Sequence, residues 1–371
     1  MHALWIRSPQ WDSFWFLSGF WVPTLFLLLP LASSQSLIVW VTLCTWIAHR
    51  LSSLYLALCV GEYRAVLTAK PGYFFRLPLL LGLVLMGFVL APESLIPIPR
   101  LERFLLLGLG DYCFSLYHFA VQHYGILSVY RSKLPHGQKD PQLLKYDWWM
   151  CIGVSGLFSL IMDGVNGELS HLLGLPAPPL WVQAVFPNLQ LGLTLVILSV
   201  WGLLMRRYVH QQQGWARMLY VSSLCYMTLV SLYVSPLLYF AMAQIQHWLV
   251  SLGLTTHMAH NSRVIPNGWY RPWAWINRRA WGPLLLLILL SLSLTPILEA
   301  DYYIAYYFNA ESLTVPGFLP QFKDSLWIYL FGGLAFFTSF LHYIYDRGVF
   351  RFSDPVTRTA ALSLLRPSTH S

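Results

Sequence analysis

The stretch FLLLGLGDYCFSLYHFAVQHYGILSVY, Phe104–Tyr130, decides the fold class. It is apolar for long enough to cross a hydrocarbon core of ~30 Å, which takes ~20 helical residues. Its polar members are not scattered. Asp111, Ser115, His118, Gln122 and Gly125 step by four, three, four and three. At about 100° per residue they share one helical face. The segment reads as a membrane-crossing helix with one narrow polar stripe that holds a carboxylate and an imidazole. An ionisable side chain at the bilayer centre costs ~2.5–3.5 kcal/mol on insertion scales. A partner side chain, a bound metal or a polar substrate must offset that cost.

The rest of the chain has the same character. Of 371 residues, 57% are hydrophobic, 16% aromatic and only 10% charged, against about 25% charged in soluble domains. A soluble enzyme and a nucleic-acid binder are excluded on composition. The net charge of +8 does not restore the latter, because the basic residues sit in short loops between apolar runs, where the positive-inside rule places them. The five cysteines lie in or beside apolar runs with no CxxC spacing, so they read as packing thiols.

Nine apolar runs have spanning length: 14–32, 37–60, 75–91, 104–130, 148–162, 189–205, 218–243, 281–298 and 325–345. The expectation is an all-α, polytopic transmembrane bundle of about nine spans, a single integral-membrane domain over 1–371 with residues 346–371 as a cytoplasmic tail. The first run is too long for a signal-peptide core and lacks a small-x-small cleavage site, so it is expected to be retained as a span. Loops 61–76, 131–147 and 206–217 and the tail from Arg347 are basic, while loop 163–188 has no Lys or Arg and carries Asp163 and Glu168. Both termini are therefore expected inside. Loop 261–280, with Arg263, Arg271, Arg278 and Arg279, fits that topology only if 218–258 crosses twice or re-enters. A break near Pro236 is expected for that reason. Its mixture of Arg, Trp and Tyr suits a segment lying among lipid headgroups.

The polar stripe recurs. Thr42, Thr45, His49 and Ser53 share a face of the second run; Gln244, His247 and Ser251 do so in the disputed passage; Thr338, His342 and Asp346 step by four in the last run. Four helices thus present one imidazole each, and intramembrane polar stripes are satisfied most cheaply by facing one another. His49, His118, His247 and His342 are the predicted ligands of a metal ion, with iron favoured and copper or zinc also compatible with imidazole. Asp111 and Asp346 are the candidate acid/base groups, and Gln122 a group that fixes a ligand's orientation. His123 follows His118 by five residues, about 140° around the helix, which disfavours both on one metal. His257 and His260 are candidates to replace His247. His136 and His370 fall in a loop and the tail and read as solvated. There is no GxSxG, P-loop or dinucleotide fingerprint, and no HxxHH cluster.

Two stretches, YHFAVQHYG at 117–125 and HYIYDR at 342–347, resemble motifs of uncharacterised His-containing polytopic bacterial membrane proteins. In layout the chain is also similar to the Brp/Blh β-carotene dioxygenases, multi-span proteins that hold iron with histidines from several helices. The dipeptide His49-Arg50 is similar to the His-Arg motif of haem A synthase, without the glycine pattern that follows it there. These resemblances imply a bacterial inner-membrane location and an oxygen-dependent oxidation or cleavage of a lipophilic small molecule. Two other readings use the same stripes: a proton-coupled transporter whose pathway they line, and a structural or assembly subunit whose helices they hold together.

Overall fold

The computed structural model describes residues 4–28, 31–134, 140–157, 161, 164–165, 167, 176–234, 236–263, 268–298 and 326–365. The loop His136, the residues Asp163, Glu168 and His171, the loop 299–324 and the tail His370 lie outside them. Among the described residues there are helices and no strand. In chain order they are α1 (Pro9–Trp15), α2 (Ser18–Leu28), α3 (Leu31–Cys59), a 3-10 turn (Gly61–Tyr63), α4 (Arg64–Ala69), a π-turn (Gly72–Arg76), α5 (Leu77–Leu90), α6 (Arg100–Ser132) and α7 (Pro141–Trp149). A second π-turn (Met150–Leu157) leads to α8 (Leu180–His210), α9 (Trp215–Ser231), α10 (Pro236–His260), α11 (Tyr270–Asn277), α12 (Gly282–Leu298), α13 (Leu326–Val349) and α14 (Pro355–Leu365).

Four of these segments are long and apolar enough to cross a membrane: Gly72–Leu90, Glu102–Ser132, Leu180–His210 and Leu326–Val349. A fifth is gained if α11 and α12, bent by 109°, count as one broken span. The chain thus has the helices of an integral membrane protein, with four or five clear spans among the described residues where nine were expected. The difference has physical causes. The first run is divided between α1 and α2, and α2 has only 11 residues. The 148–162 run winds as a π-turn over Met150–Leu157, and most of its remainder lies outside the described residues. The 218–243 run is cut between α9 and α10, and Pro236 stands at the head of α10, where a missing N–H costs nothing. The break expected near Pro236 is present.

The described residues form two compact units, 1–35 with 113–250 and 36–112 with 251–371, and the division falls within the continuous helices α3, α6 and α10. In the first unit, Ser8 caps α1 by accepting the Trp11 N–H, with Pro9 in the first turn. Asp12 then gathers the N–H groups of Ile6 and Arg7 and the Tyr130 hydroxyl, at 2.7, 3.0 and 3.0 Å. Burial pushes this carboxyl up, and the two backbone N–H groups and the hydroxyl oppose it. α2 packs on α9 at Gly19, where a Cβ would meet the Ser223 carbonyl at 2.7 Å, so no larger residue fits without backbone movement. Beneath them lies a buried ion pair. Asp147 accepts from Arg217 and from the Tyr208 hydroxyl, and Arg217 donates also to Gln213. Arg217 was counted among the cations of loop 206–217. It sits instead in the first turn of α9 and is buried, because Asp147 offers a carboxylate there.

The second unit is built on α5 and α13. Gly333 lets them approach to the point where a Cβ would lie 2.8 Å from the Met86 sulfur. Phe104, Ile328, Ala335, Phe336 and Val89 form the core beside that contact. The far side of α5 exposes Leu79, Leu80, Leu83 and Val84, a surface suited to lipid. Arg103 is fully buried, and its guanidinium donates to the carbonyls of Phe88, Ala91, Ile96 and Ile98 at 2.6–2.9 Å. These include acceptors that the end of α5 leaves without a helical partner. At one end of the unit Asn277 accepts from the Tyr55 hydroxyl and donates to the Cys59 carbonyl. Glu62 accepts from the Ser262 hydroxyl and the Arg263 N–H. The segment expected as a cytoplasmic tail folds in part into α14, which buries Ala361 and Leu364. Lys70 lies 2.7 Å from Asp354 and, with the Thr357 N–H, holds that carboxyl down to about 2.

Breaking the buried pair of the first unit by Arg217→Met strands the Asp147 carboxylate and is expected to cost about 3–5 kcal/mol. The double variant Asp147→Leu/Arg217→Met is expected to recover most of that loss. Thermal unfolding in one detergent reads both, and a double variant no better than Arg217→Met would contradict the account.

Candidate metal centre

The second unit places His49 of α3 and His342 of α13 together. Both are buried, their ring centroids are 4.9 Å apart, and the planes meet at 70°. His342 Nδ1 lies 2.6 Å from the Ser339 carbonyl oxygen. A carbonyl only accepts, so Nδ1 carries the proton and the neutral ring keeps its lone pair on Nε2, the atom a metal would take. Asp111 is buried on α6 and accepts at Oδ1 from the Ser339 hydroxyl at 2.6 Å and the Tyr343 hydroxyl at 3.1 Å. The partner required by a carboxylate in that stripe is therefore Ser339 with Tyr343. Asp346 is buried one turn beyond His342. Arg50, beside His49, is buried as well. It donates to the Leu298 and Ala335 carbonyls and the Thr338 hydroxyl, and its guanidinium lies 4.1 Å from the Trp46 ring centre.

The first unit holds the other pair. The rings of His118 on α6 and His247 on α10 are 5.1 Å apart and perpendicular. His123 lies 5.8 Å from His247. Gln122 donates to the His247 carbonyl at 2.9 Å, so it holds the backbone of that residue and not its ring. His123 Nδ1 is 2.6 Å from the Tyr220 hydroxyl. His247 is thus a ring neighbour of both His118 and His123, despite the angle that separates those two around α6.

Histidine rings that share a metal have centroids about 4.5–6 Å apart, given metal–nitrogen bonds of about 2.0–2.1 Å. The pairs in each unit meet that requirement. His257 and His260 make contacts within the second unit. Asn261 lies 3.4 Å from His257 Nε2 and donates to the Leu364 carbonyl, and His260 Nδ1 meets the Asn277 carbonyl at 3.2 Å. They tie α10 to α14 and α11.

Several residues here carried no sequence signal. Ser339 and Tyr343 are ordinary in an apolar helix. Ser339 precedes His342 by three, and the step of four selected Thr338, which serves Arg50 instead. Tyr220 and Gln246 are fully buried, but their spacing within apolar runs does not mark them. No family model, curated protein or solved structure matches the chain.

Asp111 joins two donors, and its loss leaves both in a site without water. Asp111→Ala is expected to destabilise by about 1–3 kcal/mol for each orphaned donor, and Tyr343→Phe by about 1 kcal/mol. In a double-variant cycle Asp111 and Tyr343 are expected to couple by at least about 0.5 kcal/mol. Strict additivity in unfolding measurements would remove the contact from the account.

Proposed function

We propose that this protein is a membrane-embedded metal-dependent oxidoreductase, oxygenase-like, acting on a lipophilic small molecule. The reading rests on the His49–His342 pair: two buried imidazoles at metal-sharing separation, one with its tautomer set by a backbone carbonyl. His118 and His247, 5.1 Å apart, form a second imidazole pair of the same kind within the first unit. Two further contacts of the second unit stand beside the His49–His342 pair. The Ser52 and Ser251 hydroxyls are 3.1 Å apart, one turn from His49 along α3. Asp111 bonds to Ser339, one turn before His342 on α13.

Iron is the favoured ion and supplies oxygen chemistry when bound; copper fits the same imidazole donors. The chain's own residues do the rest. Ser339 presents Nε2 of His342 to the centre. Asp111, fixed by Ser339 and Tyr343, supplies a carboxylate to hold or move a proton. Apolar helix surfaces admit a hydrocarbon or isoprenoid substrate from the bilayer and keep water from the reacting atoms. The location that follows is a bacterial inner membrane with both termini cytoplasmic, in keeping with the resemblance to Brp/Blh-type proteins.

Metal analysis of the purified protein tests the reading. His49→Ala and His342→Ala are each expected to lower bound iron or copper by at least about tenfold. His210→Ala, at the exposed end of α8, is expected to leave it unchanged. Wild-type protein that neither retains nor takes up a transition metal would overturn the proposal and favour the stripes as helix–helix hydrogen bonding or a proton path.

A further inference from the structure

His123 is not needed for the centre just described, and its surroundings are unusual. It is 0% exposed. One ring nitrogen, Nδ1, pairs with the Tyr220 hydroxyl at 2.6 Å. The other, Nε2, is buried with no hydrogen-bond partner. A buried polar atom left unpaired costs about 1–3 kcal/mol, and the cost falls away if the atom binds something. The flanking groups restrict what that can be. The Phe119 ring centre is 4.3 Å from that of His123, and the His247 ring 5.8 Å away at 61°. The visitor must be small, must accept imidazole nitrogen, and must tolerate an apolar wall.

We infer that His123 and His247 hold a second transition-metal position, inside the first unit and separate from the ion assigned to His49 and His342. The class of ligand is a soft or borderline d-block ion, copper(I) above all, which imidazole suits and which accepts as few as two donors. The 5.8 Å centroid separation falls in the range of about 4.5–6 Å for rings sharing one ion. The secondary contacts fit as well. A metal-bound histidine donates its other ring N–H to an oxygen acceptor. The Tyr220 oxygen stands at Nδ1, and when it accepts the Nδ1 proton the lone pair of the ring lies on Nε2. Gln122 fixes His247 by its carbonyl and so sets the position of the second ring.

The experiment is a titration of metal-free, detergent-purified full-length protein with copper(I), competed against a chromophoric chelator. Wild type is expected to bind two equivalents. His123→Ala is expected to bind one, as is His123→Gln, which preserves a polar group if the alanine variant folds poorly. His342→Ala is expected to lose the other equivalent. Tyr220→Phe keeps the ring and removes only the oxygen. It is expected to weaken one equivalent by about 10–100-fold, an effect that loss of packing would not confine to a single site. One equivalent in wild type that survives both His123 changes would overturn this inference and leave the first site standing. One equivalent that vanishes with His123 and persists in His342→Ala would do the reverse.

Discussion

A polar group inside hydrocarbon has no water to turn to, and that constraint organises every contact described here. Each helix that carries a charged or hydrogen-bonding side chain must find an acceptor or donor on another helix, or on backbone left open at a helix end. Asp111 finds Ser339 and Tyr343. Arg50 and Arg103 find carbonyls. Asp147 and Arg217 find each other. The buried histidines lie in small groups within each unit: His49 beside His342, and His247 beside His118 and His123.

The legible part of this was periodic. Asp111, His118 and Gln122 stand on one face of α6 as their spacing requires, and the Pro236 break follows from the clash between loop charge and crossing number. The all-helical character follows from apolar length alone. The number of clear spans did not come through, because hydropathy sees a run of apolar residues and not where it bends. The runs that became α1 with α2, or ended in a π-turn, have the same composition as straight spans.

Partner identity was legible only where a charge demanded it. A carboxylate in a stripe announces that some donor exists; whether Ser339 or Thr338 provides it depends on a rotation of α13 by about one residue, ~100°. Arg217 misled for the opposite reason. A cation at the edge of an apolar run looks like a loop residue until its carboxylate, 70 positions away, is brought beside it. Tyr220 shows the limit most clearly: one tyrosine among 21 meets the one ring nitrogen that makes it informative.

Arg103 has a consequence for how this sequence can drift. Its four acceptors are main-chain oxygens of Phe88, Ala91, Ile96 and Ile98, which survive almost any substitution of the side chains that carry them. The tolerance is one-sided. A lysine offers a single compact ammonium in place of a planar fork and cannot reach carbonyls spread over eleven residues of chain. Descendants of this protein are therefore expected to vary freely along 88–98 while the arginine stays fixed, with no covariation between them to reveal the contact.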